Sequence, residues 1–177
     1  ADLGELESVL LFIDEVEEIA GTRSGLAVDP GHGVTNELLK LIPTFREQQS
    51  RLLVCATNSV RLLDPAFLRP GRFDYVIPVG PPDAVARRAI WTRYLGPAAE
   101  RVDAQQLVEA SEMFTPADIE FAARKGAQAA FEREVQQRAG RPATTEDYLT
   151  AIGDTRPTLT EQALQEFQED IATYSRL

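Results

Sequence analysis

The chain has 177 residues, is 44% hydrophobic and 26% charged, and carries a formal net charge of −10 with a pI of about 4.6. That length suits one ordinary globular domain, or part of a large domain with a small one. The acidic balance disfavours nucleic acid as a partner, the apolar runs are far too short to span a bilayer, and no signal peptide is visible.

Residues 1–8 are acidic and lead into Val9-Leu10-Leu11-Phe12-Ile13-Asp14-Glu15. Five apolar residues without polar alternation predict a strand covered on both faces, as in a parallel α/β sheet. In such sheets ligands bind beyond the carboxyl ends of the strands, which places Asp14 and Glu15 at the functional rim. Glu17-Glu18-Ile19-Ala20 reads as a short helix. Residues 21–34, rich in Gly, read as a flexible loop. It contains His32, the single histidine, which with one cysteine gives no basis for a zinc-type metal site. Residues 35–42 predict a helix with Leu38, Leu39, Leu41 and Ile42 inward, ended or kinked by Pro43.

Leu52-Leu53-Val54-Cys55-Ala56 is a second buried strand ending in Thr57-Asn58. Cys55, the single cysteine, reads as a core residue of a reducing, cytoplasmic protein. Strand, helix and strand form a βαβ unit, which is parallel and right-handed. Residues 64–74 follow, with Pro70-Gly71 turning between Arg69 and Arg72. Tyr75–Val79 predicts a third, shorter strand, and Gly80-Pro81-Pro82-Asp83 a linker.

Only helix patterns follow that linker. Asp83 can cap a helix to about Leu95 with Val85, Ile90, Tyr94 and Leu95 inward. Asp103 can cap another to about Glu112. Thr115-Pro116-Ala117-Asp118 combines an N-cap, Pro at the first helical position and an acid at the third. That helix places Ile119, Ala122, Ala123, Gly126, Ala127, Ala130 and Phe131 on one stripe. A short helix covers about 145–152, and a last one opens at Thr158 with Leu164, Phe167, Ile171 and Tyr174 as its buried stripe.

Asp14, Glu15, Asn58, Arg69 and Arg72 together form a chemical inventory. Phosphoryl transfer to water needs a magnesium ion on phosphate oxygens, a group that aligns the water and cations for the transition state. A carboxylate can hold magnesium through its water shell, a neighbouring one can polarise the water, an amide can orient it, and guanidinium groups suit a phosphoryl group. No Ser/His/Asp set and no thiol paired with histidine competes with this reading.

LLFIDEVEEIA, VCATN and DPAFLRPGRFD, in this order, resemble the Walker B strand, sensor 1 and the second region of homology of AAA ATPases. The GPPD linker, the helices after it and FTPADI resemble that family's lid. RPGRFD is closest to the protein-remodelling AAA clade. The resemblance implies a partial parallel P-loop NTPase sheet over residues 1–80 and an all-α lid over 81–177. It implies ATP and Mg²⁺ as cofactors, Asp14 serving the metal through water, Glu15 the attacking water, Asn58 as sensor 1, and Arg69 and Arg72 as arginine fingers reaching ATP on the next subunit. It also implies a homo-oligomeric ring, a hexamer, acting on protein clients. The loop at 21–34 falls where such rings place a second pore loop. Pro116 and Ala117 take the place of a Gly-Ala-Asp motif near the adenine, with Pro116 removing a backbone N–H. Tyr94 falls near a nucleotide-contacting His of relatives. Arg124 reads as a surface residue rather than a sensor 2 arginine.

The sequence contains no GxxxxGK[ST], the loop that cradles phosphates. The chain starts at Ala1 without Met and runs at once into a strand. The expectation is therefore the C-terminal part of an AAA module lacking Walker A, inactive alone, from a parent that hydrolyses ATP. The alternative is a scaffold with a degenerate nucleotide site, in which Asn58 caps a turn, Arg72 pairs with Asp74 and Tyr94 is core.

Overall fold

The computed structural model describes residues 8–21, 31–47, 49–138 and 141–176. The predicted loop at 21–34 falls largely outside them. The chain divides into two compact units, residues 1–78 with 168–177, and residues 79–167.

In the first unit, β1 (Val9–Ile13) and β2 (Arg51–Cys55) pair in parallel, with Val9 opposite Arg51 and Ile13 opposite Cys55. α1 (Glu17–Ala20) follows β1 directly, and α2 (Gly31–Arg46) carries the chain back to β2. The expected βαβ unit is present: a short parallel sheet packed with helices. Val16, Ala20, Leu39, Ile42, Leu63 and Phe67 form its core. Pro43 lies inside α2 rather than ending it. A proline costs the helix one backbone bond, and burial of Leu39 and Ile42 on the turns before it keeps the helix seated. Leu41 points away, 53% exposed, because the helical repeat places it off the face that Leu39 and Ile42 share.

The sheet has two strands among the described residues. The predicted third strand at 75–79 makes a single antiparallel bridge, in which the Val76 and Arg176 amides each donate to the other's carbonyl at 2.9 and 3.1 Å. Tyr75, Ile77 and Val79 are exposed. Among the described residues pairing there extends no further than that bridge, so the segment is not a strand of the sheet.

In the second unit, α3 (Ala84–Leu95), α4 (Ala104–Ala110), α5 (Pro116–Gln137) and α6 (Thr145–Gly153) surround one core. α7 (Glu161–Tyr174) starts there and ends in the first unit's C-terminal segment. Trp91, Leu107 and Ile119 are fully buried, and Trp91 meets Tyr148 edge-on at 6.4 Å between ring centroids. The Trp91 indole N–H donates to Ser111 Oγ at 3.0 Å, and that hydroxyl donates to the Leu107 carbonyl at 2.6 Å. No polar atom of that buried pair is wasted.

The buried residues of α3 are Arg87, Trp91 and Leu95, with Ile90 packed against the same core; Leu95 and Ile90 were predicted inward, Arg87 and Trp91 were not. Val85 is 77% exposed. Arg87 is buried and donates from Nη1 to the Pro82 carbonyl at 3.0 Å and from Nε to the Val108 carbonyl at 3.4 Å, a cation at the C-terminal turn of α4. A charged residue on the buried stripe masks the apolar period.

On α5, Ile119, Ala122, Ala123, Gly126 and Ala130 are buried as expected, whereas Ala127 and Phe131 face solvent. Gly126 permits the contact with α6. A Cβ there would stand 2.6 Å from Tyr148 Cδ1 and 3.2 Å from the Asp147 carbonyl oxygen. Gly126→Ala is expected to lower the thermal unfolding midpoint, with overpacking of about 1–3 kcal/mol exceeding the roughly 1 kcal/mol gained in helix propensity. An unchanged or raised midpoint would remove this reading of the helix contact. α7 begins at Glu161, after Thr160 rather than Thr158, with Thr160 Oγ1 accepting from the Ala163 amide at 3.1 Å. Its stripe is only half-buried, and Ile171 is 37% exposed.

Candidate active site

Parallel pairing of β1 with β2 brings two strand ends to the same rim. Beyond the ladder, the Ala56 amide donates to the Ile13 carbonyl at 2.9 Å and the Val16 amide to the Ala56 carbonyl at 3.0 Å. Asp14 and Glu15 lie between these bonds, and Asn58 stands two residues past the second. All three side chains are exposed at the carboxyl edge of the sheet, where ligands reach an open α/β fold.

The chain leaves β1 through a sharp turn. Glu15 has φ of 50°, a left-handed conformation, and its amide donates to Asp14 Oδ1 at 3.0 Å. α1 starts two residues later, with the Glu15 carbonyl accepting from the Glu18 amide at 3.0 Å. On the other strand, Thr57 Oγ1 accepts the Ser59 amide at 3.2 Å and donates to the Ser59 carbonyl at 3.1 Å, which turns the chain at Asn58.

Between these loops lies a residue that the motif reading passed over. Glu17, first in α1, accepts the Asn58 amide on Oε1 at 3.0 Å. Burial pushes its carboxyl up, but hydrogen bonding from the Thr57 side chain, from the Glu17 and Asn58 backbone and from the Asn58 side chain outweighs this and holds it below its ordinary value. A third acid in the stretch after β1 was visible in the sequence; its partner across the sheet was not.

Arg69 and Arg72 belong to the segment after Asp64, whose amide donates to the Ala20 carbonyl at 2.9 Å at the end of α1. Gly71 takes φ of 89°, so the Pro70-Gly71 turn needs a residue free of a Cβ. Its amide donates to Asp74 Oδ1 at 3.1 Å. Asp74 is ion-paired with Arg46, and Arg72 instead donates from Nη1 to the Ala66 carbonyl. Arg72 is half-buried and Arg69 exposed. No hydrogen bond or ion pair joins either guanidinium to Asp14, Glu15 or Asn58 among the described residues.

In the second unit, Pro116 and Ala117 are exposed on the first turn of α5, and Thr115 and Asp118 close a capping box around them. Tyr94 is 37% exposed, not core, and its hydroxyl donates to Glu120 Oε2 at 2.7 Å. Glu120 also pairs with Arg124 at 2.5 Å, so Arg124 lies on the surface as expected. Burial pushes the Cys55 thiol up to about 11, which leaves it protonated at neutral pH.

Two carboxylates on adjacent residues do not cage a metal. Among the described residues no group of three or more His, Cys, Asp or Glu could hold one. The donor set suits Mg²⁺, which keeps most of its waters and takes one or two carboxylates plus substrate phosphates.

Comparison with known proteins agrees with this geometry. The family model described as "ATPase family associated with various cellular activities (AAA)" matches residues 2–81. An AAA domain is present there. The match spans both strands, the acids, Asn58 and the arginine segment. It also corrects one expectation. The AAA domain occupies the N-terminal part of this chain, and the chain is not a C-terminal piece defined by lacking Walker A.

The "Cell division cycle protein 48 homolog" of Archaeoglobus fulgidus is 29% identical over 95% of this chain and 25% of its own length. "Protein SAV" of Sulfolobus acidocaldarius is 38% identical over 66% of the chain and 15% of its own length. The "ATP-dependent zinc metalloprotease FtsH" of Caldicellulosiruptor bescii is 37% identical over 72% of the chain and 23% of its own length. The chain thus spans a quarter or less of these AAA-related proteins. The matches support an AAA-superfamily origin. No helix among the described residues is long and apolar enough to cross a membrane.

Proposed function

We propose that this chain is part of an AAA ATPase that hydrolyses ATP within a homo-oligomeric ring, a hexamer, and remodels protein clients. The observation that carries the proposal is the meeting of Asp14, Glu15 and Asn58 at the carboxyl end of paired parallel strands, in a stretch that matches the AAA family. Mg²⁺ supplies charge neutralisation on the phosphates when bound. Asp14 would hold the ion through its water shell, Glu15 takes the proton of the attacking water, and the Asn58 side chain holds that water in line. Arg69 and Arg72 serve ATP on the neighbouring subunit. That assignment rests on the family resemblance of the RPGRFD segment. Pro116, Ala117 and Tyr94 are assigned to the nucleotide on the family resemblance alone, and the Tyr94 hydroxyl would have to leave Glu120 to donate there. We further propose a cytoplasmic site of action.

Mixed rings test the interface. Arg72→Ala subunits are expected to abolish hydrolysis at the site they face, while their own ATP is still turned over beside a neighbour with intact Arg72. Turnover lost instead in the subunit that carries the substitution would overturn the assignment. Because Arg72 also braces the Ala66 carbonyl, unfolding midpoints of the variant subunits should be compared first.

A further inference from the structure

We infer that Glu17 is a positioning residue for this site: its carboxylate clamps the backbone at Asn58 and so sets where the Asn58 amide stands relative to Asp14 and Glu15. The inference rests on the ATP-hydrolysis reading for its function, but not for its geometry.

Two bonds brace the loops after β1 and β2. One is backbone to backbone, from the Val16 amide to the Ala56 carbonyl at 3.0 Å. The other is from the Asn58 amide to Glu17 Oε1 at 3.0 Å. The first fixes the strand ends. The second reaches the residue that carries the amide side chain, and the Asn58 side chain also contributes hydrogen bonding to the Glu17 carboxylate. A charged acceptor makes this bond stronger than a neutral one.

The arrangement has a cost that marks it out. Glu17 Oε2 is buried and accepts no hydrogen bond in standard geometry among the described residues. An orphaned carboxylate oxygen works against stability. The first turn of α1 does not need it, since its amides at Ile19 and Ala20 already donate to the Val16 carbonyl. What the carboxylate does accomplish is to tie α1, which starts just past the two acids, to the turn that presents Asn58. A shift of about 1 Å in a water-aligning group can cost up to a hundredfold in rate.

Glu17→Ala and Glu17→Gln test this, by ATP turnover and by amide hydrogen exchange on the folded protein. Glu17→Ala is expected to lower kcat about tenfold with KM for ATP changed less than about twofold. Exchange at Asn58 should rise about tenfold or more, while exchange at Ala56, bonded to the Ile13 carbonyl, stays put. Glu17→Gln keeps an acceptor at Oε1 and should restore most of both. Unchanged exchange at Asn58 in Glu17→Ala overturns the clamp. So does a joint rise at Ala56 and Asn58 with a lowered unfolding midpoint, which is general loosening. A normal kcat despite faster Asn58 exchange overturns the positioning role. If the unsubstituted protein shows no Glu15-dependent turnover, the ATP-hydrolysis reading falls, and the positioning role with it; the exchange data still decide the clamp.

Discussion

Glu15→Gln is expected to slow ATP hydrolysis by about 10²–10⁴, the range that loss of a positioned general base produces, while leaving ATP binding intact. The substitution is close to isosteric. It keeps an oxygen that can hydrogen-bond the water but removes the charge that accepts its proton. Glu15 is exposed at the rim and makes no side-chain hydrogen bond or ion pair among the described residues, so the fold does not depend on its carboxylate. Single-turnover rates with bound ATP separate the effect from affinity. Turnover within a few-fold of the unsubstituted protein would exclude Glu15 as the base. Loss of ATP binding itself would place the carboxylate in the ground state rather than the transition state.

Asp118→Ala is expected to give the largest loss of stability, about 2 kcal/mol, because one substitution removes the buried acceptor shared by four part-buried hydrogen bonds. Asp118 is 5% exposed, and its Oδ2 accepts from the Thr115 amide at 2.9 Å, Thr115 Oγ1 at 2.8 Å, the Thr158 amide at 3.2 Å and Thr158 Oγ1 at 2.8 Å. One carboxylate thus closes the capping box of α5 and secures the segment that leads to α7. Asp118→Asn keeps one acceptor and should cost less. Chemical denaturation of both variants gives the comparison; a cost below about 1 kcal/mol for alanine, no more than an ordinary cap, would show the Thr158 bonds to be idle.

The same carboxyl carries a pH signature. Burial pushes it up, and the hydrogen bonds from Thr115 and Thr158 outweigh that, leaving it below its ordinary value. Above the unfolded-state value of about 3.9 both states are ionised and the stabilisation is complete. As pH falls below that, the unfolded chain takes up the proton first, and the contribution is lost by the time pH passes the lower folded value. The acid limb of the stability curve should be shallower in Asp118→Ala than in the parent.

Much of the fold was legible because its signals are local. The strands at 9–13 and 51–55, the caps at Asp83, Asp103 and Thr115, and the acids ending β1 are properties of a few neighbouring residues. The expected cover on both faces of the strands is not there among the described residues: Leu10, Phe12 and Leu52 are 68%, 56% and 55% exposed on the face turned away from the core. The failures were failures of distance. Arg87 lies on the buried stripe of α3 because two backbone carbonyls, from Pro82 and Val108, receive its guanidinium, and hydrophobic period cannot register such a partner. Thr158 looked like a helix cap and instead serves Asp118, forty residues earlier. The alternative partner offered for Arg72 was Asp74, which Arg46 holds instead. At the proposed site, residue types and chain order singled out Asp14, Glu15 and Asn58, which strand pairing brings to one edge of the sheet. The contact between Glu17 and Asn58 depends on strand register, which the chain declares only once β1 and β2 are paired.

The left-handed backbone at Glu15 has a consequence of its own. A side chain other than Gly held in that region costs roughly 1–2 kcal/mol, and Asn or Asp would sit there more easily than Glu. Judged by thermal endurance alone, Glu is a poor occupant of position 15, and Gly would be the better one. On the role proposed for Glu15, stability and activity pull in opposite directions at this residue. A programme of stabilising substitutions guided by backbone geometry would alight on position 15 early, and would harden the protein while disarming it.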